Sequence, residues 1–326
     1  MSSFSNPPDE PAFATEPYGP QWLQQLVWTT LLVDGELTHY RVTAKQHKDR
    51  HWRVVRAARR AGENVTRRLG HEFSLAERLA PQWALQPLAL LSSDDGPLLV
   101  LTDPGGQSLH ELDDQPFSIE RFLHLATGVA AALTEAHAHG LLHRDIKPCN
   151  LVQGSDGVVR LSGFGLSVEA HPCGHLPVSD SICGTLAYMS PEQARRVERR
   201  ADQRTDLYSL GMTFYEWLAG HLPFEARDPV EWVYCHVARQ PPALSLTRGD
   251  IPPALSQLVH KLIAKNPDDR YQTAASLLAD LRSCHCQWQH LRDIPELAMD
   301  RSELRDTAYR HALMAQARSR ETILAS

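Results

Sequence analysis

The chain has 326 residues, with 33 Lys and Arg against 39 Asp and Glu, a formal charge of −6. Apolar residues make up 42% and charged ones 22%, close to an average globular chain, which excludes a collagen-like, mainly disordered or membrane-embedded protein. The mild acidity gives no reason to expect a nucleic-acid binder or a protein held on a membrane by charge, and the length suggests about two domains.

Residues 1–20 carry Pro7, Pro8, Pro11, Pro17 and Pro20 without any apolar period, so they are expected to form a disordered leader. From Leu23 to Val42, apolar runs broken at Asp34-Gly35 predict a strand pair. After the polar turn Lys45–Arg50, the run Trp52-Arg53-Val54-Val55-Arg56 predicts a third strand. Val65, Leu69, Phe73, Ala76 and Leu79 recur every three or four residues, which predicts one amphipathic helix over 63–80, ended by Pro81. Leu85–Leu91 and Leu98–Leu101 are expected as two strands around Asp94-Asp95-Gly96-Pro97.

Past Asp103-Pro104-Gly105-Gly106 the pattern turns helical. Ser118 can cap a helix running to His139. Helical stripes follow at Leu207, Leu210, Phe214 and Trp217, at Leu255, Leu258, Val259, Leu262 and Ile263, and over Ala274–Leu281. Leu304, Ala308, Ala312 and Ala315 predict a last amphipathic helix, more in keeping with packing on its own domain than with docking a partner. The longest apolar stretch, Phe122–Leu142, holds His124, Glu135, His137 and His139 and is too polar to span a bilayer.

Residues 1–20 lack the basic start and apolar core of an export signal, the first Lys or Arg being Arg41. Cys149, Cys173, Cys183, Cys235, Cys284 and Cys286 are therefore expected as free thiols in a cytoplasmic protein.

The strongest chemical signal is His143-Arg144-Asp145-Ile146-Lys147-Pro148-Cys149-Asn150-Leu151. It resembles the catalytic loop of protein kinases. Phosphoryl transfer to a hydroxyl needs a carboxylate that accepts the hydroxyl proton and an oxygen ligand for Mg²⁺. By the resemblance, Asp145 takes the first role, Asn150 the second as metal ligand, and Lys147 steadies the transferring phosphate. Cys183–Glu192 resembles the end of an activation segment, with Ser190 where the family usually has Ala. Asp206–Gly211 resembles the start of the large buried helix, and Pro267–Tyr271 the late arginine motif. The resemblance implies that Glu192 pairs with Arg270 and that Asp206 holds the catalytic-loop backbone.

The resemblance covers residues 22–286. It implies an α+β, two-lobed protein-kinase fold, with a small β-rich lobe with one helix over 21–103, a large helical lobe over 104–288 and a helical tail over 289–326. It also places Leu101 and Asp103 among the nucleotide-binding positions. Tyr188–Gln193 and Cys235–Pro242 look most like the amino-terminal kinase domain of bacterial hybrid sensor proteins, in which an ATPase module and a histidine kinase follow. With the chain ending at Ser326, neither module is expected here.

Three departures fall in the parts that handle nucleotide. The glycine-loop positions are occupied by Leu32, Asp34 and Leu37, and Gly35 is expected to make a hairpin turn instead. The strand-three lysine is matched by Arg56, with Glu72 as its helix partner, or alternatively by Lys45; arginine differs from lysine in reach and geometry. Gly163 stands where the D-F-G aspartate should ligate Mg²⁺. Metal stabilisation is worth several kcal/mol, and losing about 4 kcal/mol slows turnover by roughly 10³-fold. Asp156, in the turn Gly154–Gly157, is a poor substitute.

Two function classes follow. One is a pseudokinase, a regulatory or binding module with a protein partner and weak or absent ATP binding. The other is an active serine/threonine kinase using ATP with Mg²⁺ or Mn²⁺ on a protein substrate. His171, Cys173 and His175, and Cys284, Cys286 and His290, lack ordinary zinc spacing. Ser179, Ser181 and Thr185 are candidate phosphorylation sites for which Arg144 could serve as partner.

Overall fold

The computed structural model describes residues 20–112, 115–170, 184–194 and 202–295. The expected leader up to residue 19, the tail helix, Ser179, Ser181, His171, Cys173, His175 and Cys183 lie outside the described residues. The chain divides into two compact units. The first takes residues up to Phe73 together with Pro87–Asp103, and the second takes Ser74–Gln86 together with Pro104 onward.

The first unit begins with a short helix, α1 (Pro20–Gln24), so Pro20 belongs to ordered structure rather than to a leader. Five strands follow: β1 (Leu26–Asp34), β2 (Leu37–Ala44), β3 (His51–Ala57), β4 (Pro87–Leu91) and β5 (Leu98–Thr102). They form one antiparallel sheet in the order β1-β2-β3-β5-β4. Asp34 pairs with Leu37 across a two-residue turn that needs Gly35 at φ +59°, as expected for a hairpin. Tyr40, Val42, Val54, Leu98 and Val100 share one sheet face and form a core with Trp22, Leu26 and Ala89. Between β3 and β4 the helix α2 (Glu63–Ser74) buries Val65, Leu69 and Glu72.

The single helix expected over 63–80 stops at Ser74, and Phe73 is exposed. Leu75 and Leu79 keep the helical spacing but bury in the core of the second unit, with Trp83 and Ala84. Periodicity cannot show that one stripe feeds two cores. Likewise the strand expected from Leu85 starts only at Pro87, because the amide of Leu85 bonds to Leu161 in the second unit.

The second unit runs through β6 (Gln107–Ser108), α3 (Ile119–Ala138), β7 (Leu141–Leu142), β8 (Leu151–Gln153), β9 (Val159–Leu161) and β10 (Val168–Glu169). It continues through α4 (Pro191–Ala194), α5 (Gln203–Ala219), α6 (Pro229–Val237), α7 (Leu244–Thr247), α8 (Pro253–Leu262) and α9 (Ala274–Leu291). Ser118 caps α3 by accepting from the amide of Arg121 at 3.3 Å. Helix α5 is buried on nearly every side, the mark of a central helix. Helix α9 extends to Leu291, so the boundary expected at 288 falls inside it. The architecture is thus α+β, with a sheet-rich first unit and a helical second one. No described helix is long and apolar enough to cross a membrane.

Glu192, in α4, meets Arg270 in a two-pronged ion pair at 2.8 and 3.0 Å, with the arginine side chain wholly buried. Burial alone would raise the Glu192 carboxyl; the hydrogen bond and charge of Arg270 outweigh it and hold the group below its ordinary range. A carboxyl depressed in this way stabilises the fold above its unfolded pKa, and the contribution is lost as the pH falls through the lower folded value. Arg270→Met leaves a buried carboxylate unpaired and is expected to cost about 3–5 kcal/mol in chemical denaturation at neutral pH, the penalty shrinking as Glu192 is protonated in acid. Losing the more exposed Arg160–Asp156 pair, as in Asp156→Ala, is expected to cost about 1 kcal/mol or less.

Candidate functional site

The loop His143–Leu151 lies between β7 and β8, and a buried carboxylate sets its shape. Asp206, in the first turn of α5, accepts the backbone N–H groups of His143 at 2.9 Å and Arg144 at 2.7 Å, and the Nε2–H of His137 at 2.9 Å. Burial would raise its carboxyl; the hydrogen bond and charge of His137, the charge of His143 and the Arg144 amide together hold it below the ordinary range. Arg144 takes the left-handed φ of +67°, rare for a residue with a side chain, and its carbonyl accepts from Gln193 Nε2 at 3.0 Å.

His143 is wholly buried, and burial pulls its imidazole below its ordinary range. Nδ1 accepts the amide of Asp145 at 3.3 Å, so the proton sits on Nε2, which donates to the Ser162 carbonyl at 2.9 Å. The ring packs on Phe164, centroids 4.6 Å apart, and Phe164 packs edge-on against Trp83. On the far side, the Ser108 hydroxyl holds the carbonyls of Pro148 and Cys149, each at 3.3 Å.

Within this frame the structure brings Asp145, Lys147 and Asn150 together, all three buried. Lys147 Nζ donates to Thr185 Oγ1 at 2.6 Å and lies 3.5 Å from Asp145 Oδ2. The Thr185 hydroxyl and amide each donate to Asp145 Oδ1 at 2.9 Å. Asn150 Nδ2 donates to the Asp145 carbonyl at 2.8 Å and to Oδ2 at 3.3 Å. The hydroxyl of Thr185, read from sequence as a candidate for modification, is therefore committed to Asp145 and Lys147.

Gly163 sits at φ +78°, and a Cβ built there would lie 2.6–2.8 Å from Oδ1, Cγ and Nδ2 of Asn150. The Asn150 amide fills the space in which a side chain at 163 would begin. Asp156 stays in its turn, paired with Arg160 at 2.7 Å, which holds its carboxyl down at about 2. A hard divalent cation asks for several oxygen ligands, carboxylates foremost. Here Gly163 offers none, Asn150 offers one neutral oxygen, and Asp145 Oδ1 is shared with Thr185, so the set does not fit Mg²⁺. No group of three His, Cys, Asp or Glu able to hold a metal occurs among the described residues. Cys284 is buried, its thiol pushed up to about 12, while Cys286 is exposed and His290 Nδ1 bonds to a helix carbonyl.

The first unit departs from the sequence expectation. Lys45 lies past the end of β2 and bonds the Gln24 carbonyl, so it is not a strand-three residue. Arg56 is on β3, but strand alternation turns it to the face of Val54 and Tyr40. There it bonds the Tyr40 hydroxyl, covers the Tyr40 ring at 4.8 Å and lies 3.6 Å from Asp95. Neither matches a partner of Glu72, which is buried on α2. The opposite face of β3 carries Arg53, a residue sequence reasoning passed over. It pairs with Arg41 across β2 and with Leu101 across β5. Asp103 accepts from Arg41 at 2.6 and 3.3 Å and from Arg53 at 3.4 Å. The doublet Val54-Val55 hides the alternation, because both of its faces are buried.

A family model for the protein kinase domain matches residues 40–281. Similar proteins include serine/threonine-protein kinase PknB of Mycolicibacterium smegmatis, 37% identical over 192 residues, 58% of this chain and 30% of that protein. Serine/threonine-protein kinase pkn3 of Myxococcus xanthus is 30% identical over 264 residues, 77% of this chain and 48% of that protein. The chain spans less than half the length of these relatives.

Gly163→Ala is expected to cost about 1–2 kcal/mol from the left-handed backbone alone, and about 1 kcal/mol more from the overlap with Asn150. In an Asn150→Ala background the second part is expected to vanish, a coupling that a double-mutant denaturation cycle reads directly.

Proposed function

The chain belongs to the protein kinase domain family, and from that premise we propose that it is a serine/threonine-type signalling protein whose phosphotransfer is impaired and which acts by binding a protein partner. The family generally works with ATP and Mg²⁺. The observation that carries the reading is Gly163, which has no side chain and whose side-chain space is taken by the Asn150 amide. The glycine-loop positions without glycine, Leu32 and Asp34 on β1 and Leu37 on β2, and an Arg56 turned toward Tyr40, support it. The likeness of Tyr188–Gln193 and Cys235–Pro242 to the kinase domains of hybrid sensors supports a protein, rather than a small molecule, as partner.

One observation favours a second reading, an active kinase with an atypical nucleotide site. Asp145, Lys147 and Thr185 keep a connected arrangement. In it Asp145 would accept the proton of a protein hydroxyl and Lys147 would lie beside the transferred group.

Incubation of the full chain with γ-labelled ATP and Mg²⁺ or Mn²⁺ separates the two. Transfer is expected roughly 10³-fold below that of the Mycolicibacterium PknB kinase measured alongside, with any residual label lost in Asp145→Ala. A rate equal to that of the relative overturns the reading.

A further inference from the structure

Three charged side chains of the first unit converge where β2, β3 and β5 meet. Arg41 and Arg53 face each other across paired strands, an arrangement of like charges that is unfavourable on its own. The Asp103 carboxylate, wholly shielded from solvent, bridges them; the Arg53 side chain is 9% exposed and that of Arg41 30%. Alternation from the end of β5 puts Leu101 and Asp103 on this same face, Leu101 directly opposite Arg53.

We propose that Arg41, Asp103 and Arg53 form an internal plug that excludes a purine base from the positions Leu101 and Asp103. This rests on the reading of those two positions as nucleotide-binding. A purine is held by flat apolar walls and a few polar groups at its edge. Here the walls beside Leu101 are guanidinium groups bonded to a buried carboxylate, and charge-assisted bonds of this kind are stronger than the neutral ones a base could offer in exchange. Turning Asp103 toward a ligand would break its bonds to Arg41 and Arg53. The plug is distinct from the Gly163 deficiency. That one removes a metal ligand in the second unit, and this one acts on the base alone, whatever the metal.

The test is ATP binding to the full chain, by calorimetry in the presence of EDTA so that neither metal nor transfer contributes. The variant is Arg41→Val/Arg53→Ala/Asp103→Leu, which removes all three charges together. Wild type is expected to show no binding at millimolar ATP, and the variant to bind at least about tenfold more tightly than that limit. Equal binding by both, binding by neither, or binding lost in the variant each overturns the plug. Should the variant fail to fold, Arg53→Ala/Asp103→Leu takes its place: recovered binding there with none in wild type supports the proposal, and micromolar binding of ATP by wild type, or no recovery, overturns it. Phosphotransfer is read separately. Equal ATP binding with slow transfer would overturn the plug and spare the functional reading.

Discussion

Asp206 is a carboxylate placed where water cannot reach it, at the first turn of the central helix, and three donors converge on it. An acidic group in that turn is favoured by the helix dipole, and the backbone amides of His143 and Arg144 satisfy its oxygens. In return it fixes the path of the loop, including the left-handed Arg144. That path in turn aims Asp145 at Thr185 and Asn150. His143 then locks the next turn through Ser162 and stacks on Phe164. Each of these contacts lies inside the second unit.

On the proposed reading, two things that catalysis requires together are separated. The scaffold around Asp145 is well formed, from Asp206 to the Glu192–Arg270 pair. On that reading the metal ligand for a transferring phosphate is missing, while Lys147 stays beside Asp145. Gly163 has no side chain, Arg56 contacts Tyr40 and Asp95, and Arg53 contacts Asp103. A loop framed by Asp206 can keep its shape as a binding surface, which is compatible with the impaired transfer proposed.

Much of this was legible from sequence, for reasons that are local. The hairpin at Asp34-Gly35, the Ser118 cap and the loop motif each depend on neighbouring residues. Asp206 and the Glu192–Arg270 pair were legible only through family resemblance, since residues 62 to 78 positions from their partners leave no periodic trace. What escaped was a matter of which way side chains face. The helical stripe through Leu75 and Leu79 changes cores without changing period. Arg53 and Arg56 are both plausible on a strand buried on two faces, and only the register with β2 and β5 tells them apart. Thr185 read as a candidate phosphorylation site because its partners lie 38 and 40 residues away.

Amide hydrogen exchange across the whole chain, with and without ATP and Mg²⁺, tests the central claim most directly, because it reads scaffold and nucleotide handling in one measurement. The amides of His143 and Arg144 are predicted to be strongly protected without nucleotide, and protection in β1–β3 to be unchanged when millimolar ATP and Mg²⁺ are added. Unprotected loop amides that become ordered with nucleotide, together with new protection in β1–β3, would contradict it.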